Sequence, residues 1–303
     1  MADRRILLAL IIGFAIQAPL MAVVIDNTNT TGYVTGPSNY TGVVQILFNK
    51  AGGGTYICSG ALVSPTQILT AGHCISGAYN WNVTFQTPSG NTVMGVSGSF
   101  LDPLFGPMPS PLSGLDYYDV GLLTLSAAAP PDAEIYQLHL TLSDFAFGTS
   151  TVDMAGYGLG GNPSVGYLGL QTRRHAQNTV SDEIGSLNGV STPDLPLAAF
   201  LTFTYGNSGG GTGLPNGGDS GGPLLFNDQI IGVTSFGDLP RPGSGSYENG
   251  VQYLGAFANI ANPVIGNWVE SELVPEPGTW ALMALGALAL CTRLTRRAGR
   301  RIS

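Results

Sequence analysis

An all-β, loop-rich fold is predicted by three features of this 303-residue chain. It carries 44 glycines and 20 prolines, residues that punctuate strands with tight turns. Charged residues make up only 10% while apolar residues make up 44%, which suits a packed core and argues against disorder. Short runs rich in Val, Ile, Phe and Thr recur between Gly-rich segments, the pattern of strands and hairpins. The length allows one large or two modest cores. Charge is unevenly placed. Between residues 23 and 274 only Lys50, Arg173, Arg174 and Arg241 are basic, against seventeen acidic residues. An acidic body gives no support for nucleic-acid binding.

Chemistry is concentrated in Gly217-Gly218-Asp219-Ser220-Gly221-Gly222-Pro223. A serine between glycines is a poor helix and a poor strand, and glycine permits unusual backbone angles and close backbone approach. Such a loop can present one hydroxyl to a cleft while nearby N–H groups face the same point, as an acyl-transfer nucleophile needs. A Gly-rich surface turn has the same composition, and Ser208-Gly209-Gly210-Gly211 reads as one. Two further stretches distinguish them. One runs Cys58-Ser59-Gly60-Ala61-Leu62-Val63-Ser64-Pro65-Thr66-Gln67-Ile68-Leu69-Thr70-Ala71-Gly72-His73-Cys74. The other is Asp119-Val120-Gly121-Leu122-Leu123-Thr124-Leu125.

In that order, His then Asp then Ser, the three stretches resemble the signatures of the chymotrypsin-like (trypsin-like) serine protease family. The resemblance covers roughly residues 40 to 272 and neither end. It implies two six-stranded antiparallel Greek-key barrels with a C-terminal helix. It implies a catalytic triad of His73, Asp119 and Ser220, with the N–H groups of Gly218 and Ser220 as the oxyanion hole. It also implies a Cys58–Cys74 disulfide, for which an exported chain offers the right redox setting. Asp116 is a rival for the triad acid; Asp119 is preferred because it directly precedes the apolar run Val120–Leu125. Cys58, His73 and Cys74 lack a fourth ligand at metal-site spacing, so neither metal nor cofactor is expected. His139 and His175 read as structural or solvated.

Along the chain, residues 1–22 read as a secretory signal peptide: Arg4 and Arg5, then an apolar run from Ile6 to Ile16, with cleavage near Ala22. An uncleaved membrane anchor is the alternative. Residues 23–138 are expected to hold the first barrel, with His73 and Asp119. Asp26 to Tyr40 is a polar arm. Val43–Phe48 and Tyr56–Val63 read as strands across Gly52-Gly53-Gly54, and residues 81 to 100, where Trp81, Val83, Phe85, Val93 and Val96 alternate with polar residues, as hairpin strands of the first barrel. Leu101–Tyr118 is a Pro-rich loop. Ala127–Leu138, with Pro130-Pro131, is the crossover. Residues 139–273 are expected to hold the second barrel and Ser220. Val152–Gly158 resembles a family strand with Tyr157 in place of tryptophan. Leu224–Phe226 and Gln229–Val233 pair across Asn227-Asp228. By the resemblance, Ser235, Phe236 and Gly237 lie along the substrate backbone. Leu214 sits at the base of the specificity pocket, with Gly237 and Gly250 as walls. Leucine there implies an apolar residue before the scissile bond. Asn262-Pro263 starts a helix in which Val264, Ile265, Trp268 and Val269 pack on the barrel.

Many family members need a new N-terminus, cut after Lys or Arg, to pair with the acid beside the serine. Here no Lys or Arg lies between Arg5 and Lys50, so such a cut is not expected and Asp219 needs another partner. Residues 274–303 are a separate object. Val274-Pro275-Glu276-Pro277-Gly278, an apolar run from Thr279 to Cys291 and five arginines resemble the PEP-CTERM sorting signal of Gram-negative bacteria. That implies exosortase recognition, and contact with the membrane through this segment before processing. A simple anchor is the alternative, although the run is shorter than the roughly 20 residues of a comfortable span.

The expected function is an exported or surface-sorted bacterial serine endopeptidase. It would be a monomer acting on peptides or proteins and processed by signal peptidase and exosortase. A catalytically silent binding protein on the same scaffold, and an esterase using the same triad, are the rival readings.

Overall fold

The computed structural model describes residues 34–107, 116–158, 172–180, 213–237 and 254–273, with short segments at 24–25, 160–162, 166–168, 182–184, 186–187, 190–191 and 200–204. The signal-like residues 1–22, the tail 274–303, Gly250 and most of the stretch between Gly158 and Gly217 lie outside them.

The first half is a closed antiparallel barrel. Its strands are β1 (Val43–Lys50), β2 (Thr55–Ser64), β3 (Gln67–Thr70), β4 (Ala78–Thr87), β5 (Gly90–Leu101) and β6 (Gly121–Leu125), with a one-turn helix α1 (Gly72–Ile75) after β3. The barrel order is β1-β2-β3-β6-β5-β4. Val83 and Phe85 of β4 are fully buried with Ile46, Leu62, Ile68 and Leu122. β4 and β5 form the expected hairpin, in which Val93 is 64% exposed. The reason is strand parity. Val93 and Val96 are three apart and face opposite sides of β5. Met94 and Val96 are the residues that pack on the core.

The second half holds β7 (Thr151–Gly156), β8 (Arg174–Thr179), β9 (Asp182–Ile184), β10 (Phe200–Thr204), β11 (Pro223–Phe226), β12 (Gln229–Gly237) and β13 (Leu254–Asn259). They form one antiparallel sheet in the order β8-β7-β11-β12-β13-β10-β9. The β11–β12 hairpin turns at Asn227 and Asp228, both with positive φ (50° and 61°), as a two-residue turn of matching twist requires. One apolar cluster runs from the barrel interior into Ala155, Leu225 and Ile230 of this half. A second, around Val152, Met154, Leu224, Ile231 and Phe257, lies within it.

The chain closes with α2 (Pro263–Leu273). Asn262 Oδ1 accepts the Val264 N–H at 2.9 Å, capping the helix start. Ile265 and Val269 are buried and Trp268 packs partly, but Val264 is 45% exposed. Residues 265 and 269 share a helical face, whereas 264 and 265 cannot both centre it. Gln67 donates to the Glu272 carbonyl at 3.0 Å, tying the helix to the first barrel. Among the described residues no helix is long and apolar enough to cross a membrane.

A buried arginine joins the pieces. Arg173 is 1% exposed. Its guanidinium donates to Thr35 Oγ1 at 2.9 Å and the Gly36 carbonyl at 3.1 Å, both on the arm. It also reaches the Gln86 carbonyl at 2.8 Å at the end of β4, and Tyr157 Oη at 3.4 Å after β7. Tyr157 is itself fully buried and donates to the Val43 carbonyl of β1 at 3.3 Å. Burial pushes its phenol up to about 12, with Arg173 opposing. Charge-assisted bonds in such a setting are the strong ones. Arg173→Met should lower stability by about 3–5 kcal/mol, since it removes four hydrogen bonds made by a buried guanidinium. Urea denaturation of the variant beside the parent checks this.

Candidate active site

The serine loop occupies Gly217–Gly222, between the short strand Gly213–Leu214 and β11. Its conformation demands glycine. Gly218 and Gly221 have φ of 98° and 82°. A Cβ on Gly221 would strike Thr70 Oγ1 and the Ser59 carbonyl. Three groups hold the loop. Thr234 of β12 donates to the Gly222 carbonyl through both its N–H and its hydroxyl, and its own carbonyl accepts the Gly221 N–H at 2.8 Å. Ser59 of β2 donates its N–H to the Ser220 carbonyl at 2.7 Å and its hydroxyl to the Gly218 carbonyl at 2.9 Å. Asp219, 2% exposed, accepts the N–H groups of Gly158 and Asn216, each at 3.1 Å. Among the described residues the N–H groups of Gly218 and Ser220 donate to no protein acceptor.

His73 lies on α1, locked to β2 by the Cys58–Cys74 disulfide, whose Cα atoms are 6.3 Å apart. Closing a loop of this length is worth on the order of 3 kcal/mol in the chain-entropy model. The same bond brings Cys74 Sγ to 3.8 Å from the Ser220 carbonyl oxygen, so the histidine turn and the serine loop abut. The donor atoms of Cys58, His73 and Cys74 lie within 4.8 Å of one another, but both sulfurs are spent in the disulfide. Gly72 has no room for a side chain: an added Cβ would come within 2.7 Å of the Phe105 ring.

Asp119 fixes the histidine at two points. Oδ1 accepts the His73 backbone N–H at 2.8 Å and Oδ2 pairs with Nδ1 at 2.7 Å. The carboxylate is 2% exposed and the imidazole 32%. Asp116, the rival acid, lies near enough for its charge to be felt by the ring, but Asp119 makes both hydrogen bonds. Burial and the charge of Asp119 push the Asp116 carboxyl upward. Burial pulls the imidazole down, but the charge and hydrogen bond of Asp119 outweigh it, so His73 stands above its ordinary value. Lys50 Nζ donates to the His73 carbonyl at 2.8 Å.

Two serines make bonds that the sequence reading does not assign to them. Ser235 was assigned only to the substrate strand, yet its hydroxyl donates to Asp119 Oδ2 at 2.6 Å. Ser59 stood inside the Cys58–Cys74 motif as a neighbour of the cysteine. Phe236 and Gly237 follow Ser235 at the end of β12. Leu214 is paired through its backbone with Val24 of the segment Val24–Ile25. Gly250 lies outside the described residues.

Comparison with known proteins agrees with this layout. Among solved structures, HL collagenase superposes with a TM-score of 0.61 at 18% identity, covering 80% of this chain and 96% of its own. Neuropsin, a serine protease expressed in the limbic system of mouse brain, gives 0.56 at 19%, covering 80% and 98%. The fold is therefore the chymotrypsin-like one. In sequence, brachyurin from Leptuca pugilator is 31% identical over 193 residues, which is 60% of this chain and 76% of that protein. Trypsin from Saccharopolyspora erythraea is 29% identical over 209 residues, 63% and 80%. The trypsin family model matches residues 32–260, and the chain belongs to that family of serine endopeptidases. A PEP-CTERM protein-sorting motif matches residues 273–297 and marks the chain for export to the cell envelope.

Proposed function

We propose that Ser220 is the nucleophile of a peptide-bond hydrolase, with His73 as general base and then acid and Asp119 as its orienting carboxylate. The observation that carries this reading is the doubly bonded Asp119–His73 pair, its carboxylate buried, abutting a serine loop with two unengaged N–H groups. Asp119 accepts from Nδ1, leaving Nε2 as the nitrogen that takes the Ser220 proton and passes it to the leaving amine. The Gly218 and Ser220 N–H groups receive the developing oxyanion. Ser235 donates to the same Asp119 oxygen, Oδ2, that pairs with His73 Nδ1, a further bond that holds the carboxylate in place. Substrate backbone runs along Ser235–Gly237. With Leu214 at the pocket base, an apolar residue precedes the scissile bond. The protein acts as a monomer outside the cytoplasm of a Gram-negative bacterium, after removal of its leader.

A fluorophosphonate probe on the exported protein tests the reading. Labelling of the parent and not of Ser220→Ala or His73→Ala is expected; an unlabelled, folded parent would favour a silent binding scaffold. The pH profile gives a separate test. His73 must be neutral to act, and its pKa is raised, so the acid limb of kcat/KM should have a midpoint above the ordinary imidazole value of about 6.5. Initial rates on an apolar peptide amide across pH 5–9 would show it.

A further inference from the structure

Asp219 is a buried carboxylate directly before the serine, and the backbone donors on its oxygens carry no net charge. Among the described residues the Lys and Arg side chains are those of Lys50, Arg173 and Arg174. Lys50 is committed to the His73 carbonyl and Arg173 to the arm and the two halves. Arg174 stands in the right place. In the β7–β8 ladder it is the cross-strand partner of Gly156. Cross-strand partners project to the same face of a sheet. On that face, a Cβ added to Gly156 would collide with Asp219 Oδ1. The Arg174 side chain then lies across Gly160, where an added Cβ would collide with Nε. Arg174 is 6% exposed and Asp219 2%. The guanidinium is pulled down by burial, and the negative charge of Asp219 opposes that fall. Gly156 and Gly160, lacking side chains, thus leave the room that Asp219 Oδ1 and the Arg174 side chain occupy.

We infer that Arg174 is the built-in counter-charge of Asp219, a positioning residue that holds the serine loop in its working shape, so that the exported chain needs no activating cut within its body. This rests on the reading of Ser220 as the nucleophile. Asp219 takes the N–H groups of Gly158 and Asn216 on its two oxygens, so its placement sets the start of the turn that presents Ser220. Take away the charge opposite, and the carboxylate is left buried without compensation. The loop carries four glycines, and Asp219 is one of the three groups that hold it.

The test is a cycle on the full exported chain, read as the second-order rate of fluorophosphonate labelling. Arg174→Met should slow labelling about 100-fold, and Arg174→Gln, which keeps length and donors but not charge, by a similar factor. Arg174→Lys should recover at least about 10-fold over Met. In an Asp219→Asn background, Arg174→Met should change the rate by less than about 3-fold, because the partner is already gone. An Arg174 that merely packs would cost the same in both backgrounds, and Gln would then behave like Arg; either result overturns the inference. If Met does not fold, the Gln and Lys variants decide by the same criterion.

One more arm addresses the competing charge. The segment Val24–Ile25 pairs with Gly213–Leu214, close before Asp219 in the chain, so a freed α-amino group upstream of it is the rival cation. The chain is exported on a leader that leaves three extra residues before Val23. Unchanged labelling supports Arg174, and lost labelling assigns the role to the terminus instead. A parent that never labels fails the nucleophile reading and this inference with it. A parent that labels as fast as Arg174→Gln fails the inference alone.

Discussion

His73→Ala is expected to lower kcat by on the order of a million-fold, Ser220→Ala by about as much, and the double variant by no more than either. The equality follows from the arrangement. A serine hydroxyl is a weak nucleophile until a base takes its proton, and an imidazole without the hydroxyl has nothing to activate. Each residue is therefore worth little without the other, and their effects cannot add. About a thousand-fold over water should survive, from the Gly218 and Ser220 N–H groups and from substrate binding. Steady-state kinetics on a peptide ester, whose background is measurable, would resolve the residue. Additive losses would mean that the two side chains act separately.

Asp119→Asn should cost about ten-thousand-fold in kcat with the fold intact. Asparagine is nearly the same size, so packing around the 2% exposed site should hold. What changes is hydrogen-bond polarity. Asp119 only accepts, from Nδ1, from the His73 N–H and from the Ser235 hydroxyl. Its amide replacement must turn an NH₂ toward one of these donors. If it faces the ring, Nδ1 must become the acceptor and Nε2 the protonated nitrogen, which then cannot take the serine proton. The substitution also removes the charge that lifts His73, so any surviving acid limb should move to lower pH. The same charge ties stability to pH in the opposite sense. A raised folded pKa means that the pair's contribution is full below about 6.5 and fades as pH climbs through the folded value. Activity rises over the range in which this stabilisation is lost.

The features legible in the sequence were those carried by neighbours in the chain. His73 and Ser220 sit in local motifs whose glycines, cysteine and turn residues leave few alternatives. Asp119 was separable from Asp116 because burial follows from the apolar run directly after it. The strand regions and the capped final helix were likewise local. What escaped was set by distance or by parity. The bond from Ser235 to Asp119 spans 116 residues and that from Ser59 to Gly218 spans 159, and neither serine is marked by its surroundings. Val264 is exposed because helical spacing defines a face without saying which residue centres it, and strand alternation likewise does not mark Val93 as the exposed one. Nothing in the local motif marks Phe105, from a loop beyond β5, as the residue that fills the space a side chain on Gly72 would need.

Arg173 reaches the arm, the end of β4 and Tyr157 from a single guanidinium, and Tyr157 passes the tie on to β1. The seam between the halves is therefore knotted at the side chain level rather than merely pressed together. Neither half can loosen without breaking bonds that belong to the other. Amides of β1 and β7 should then exchange with deuterium through one shared opening, at the same free energy and with the same denaturant dependence. For an enzyme exported to the cell envelope, that leaves no half-open species for a protease to cut.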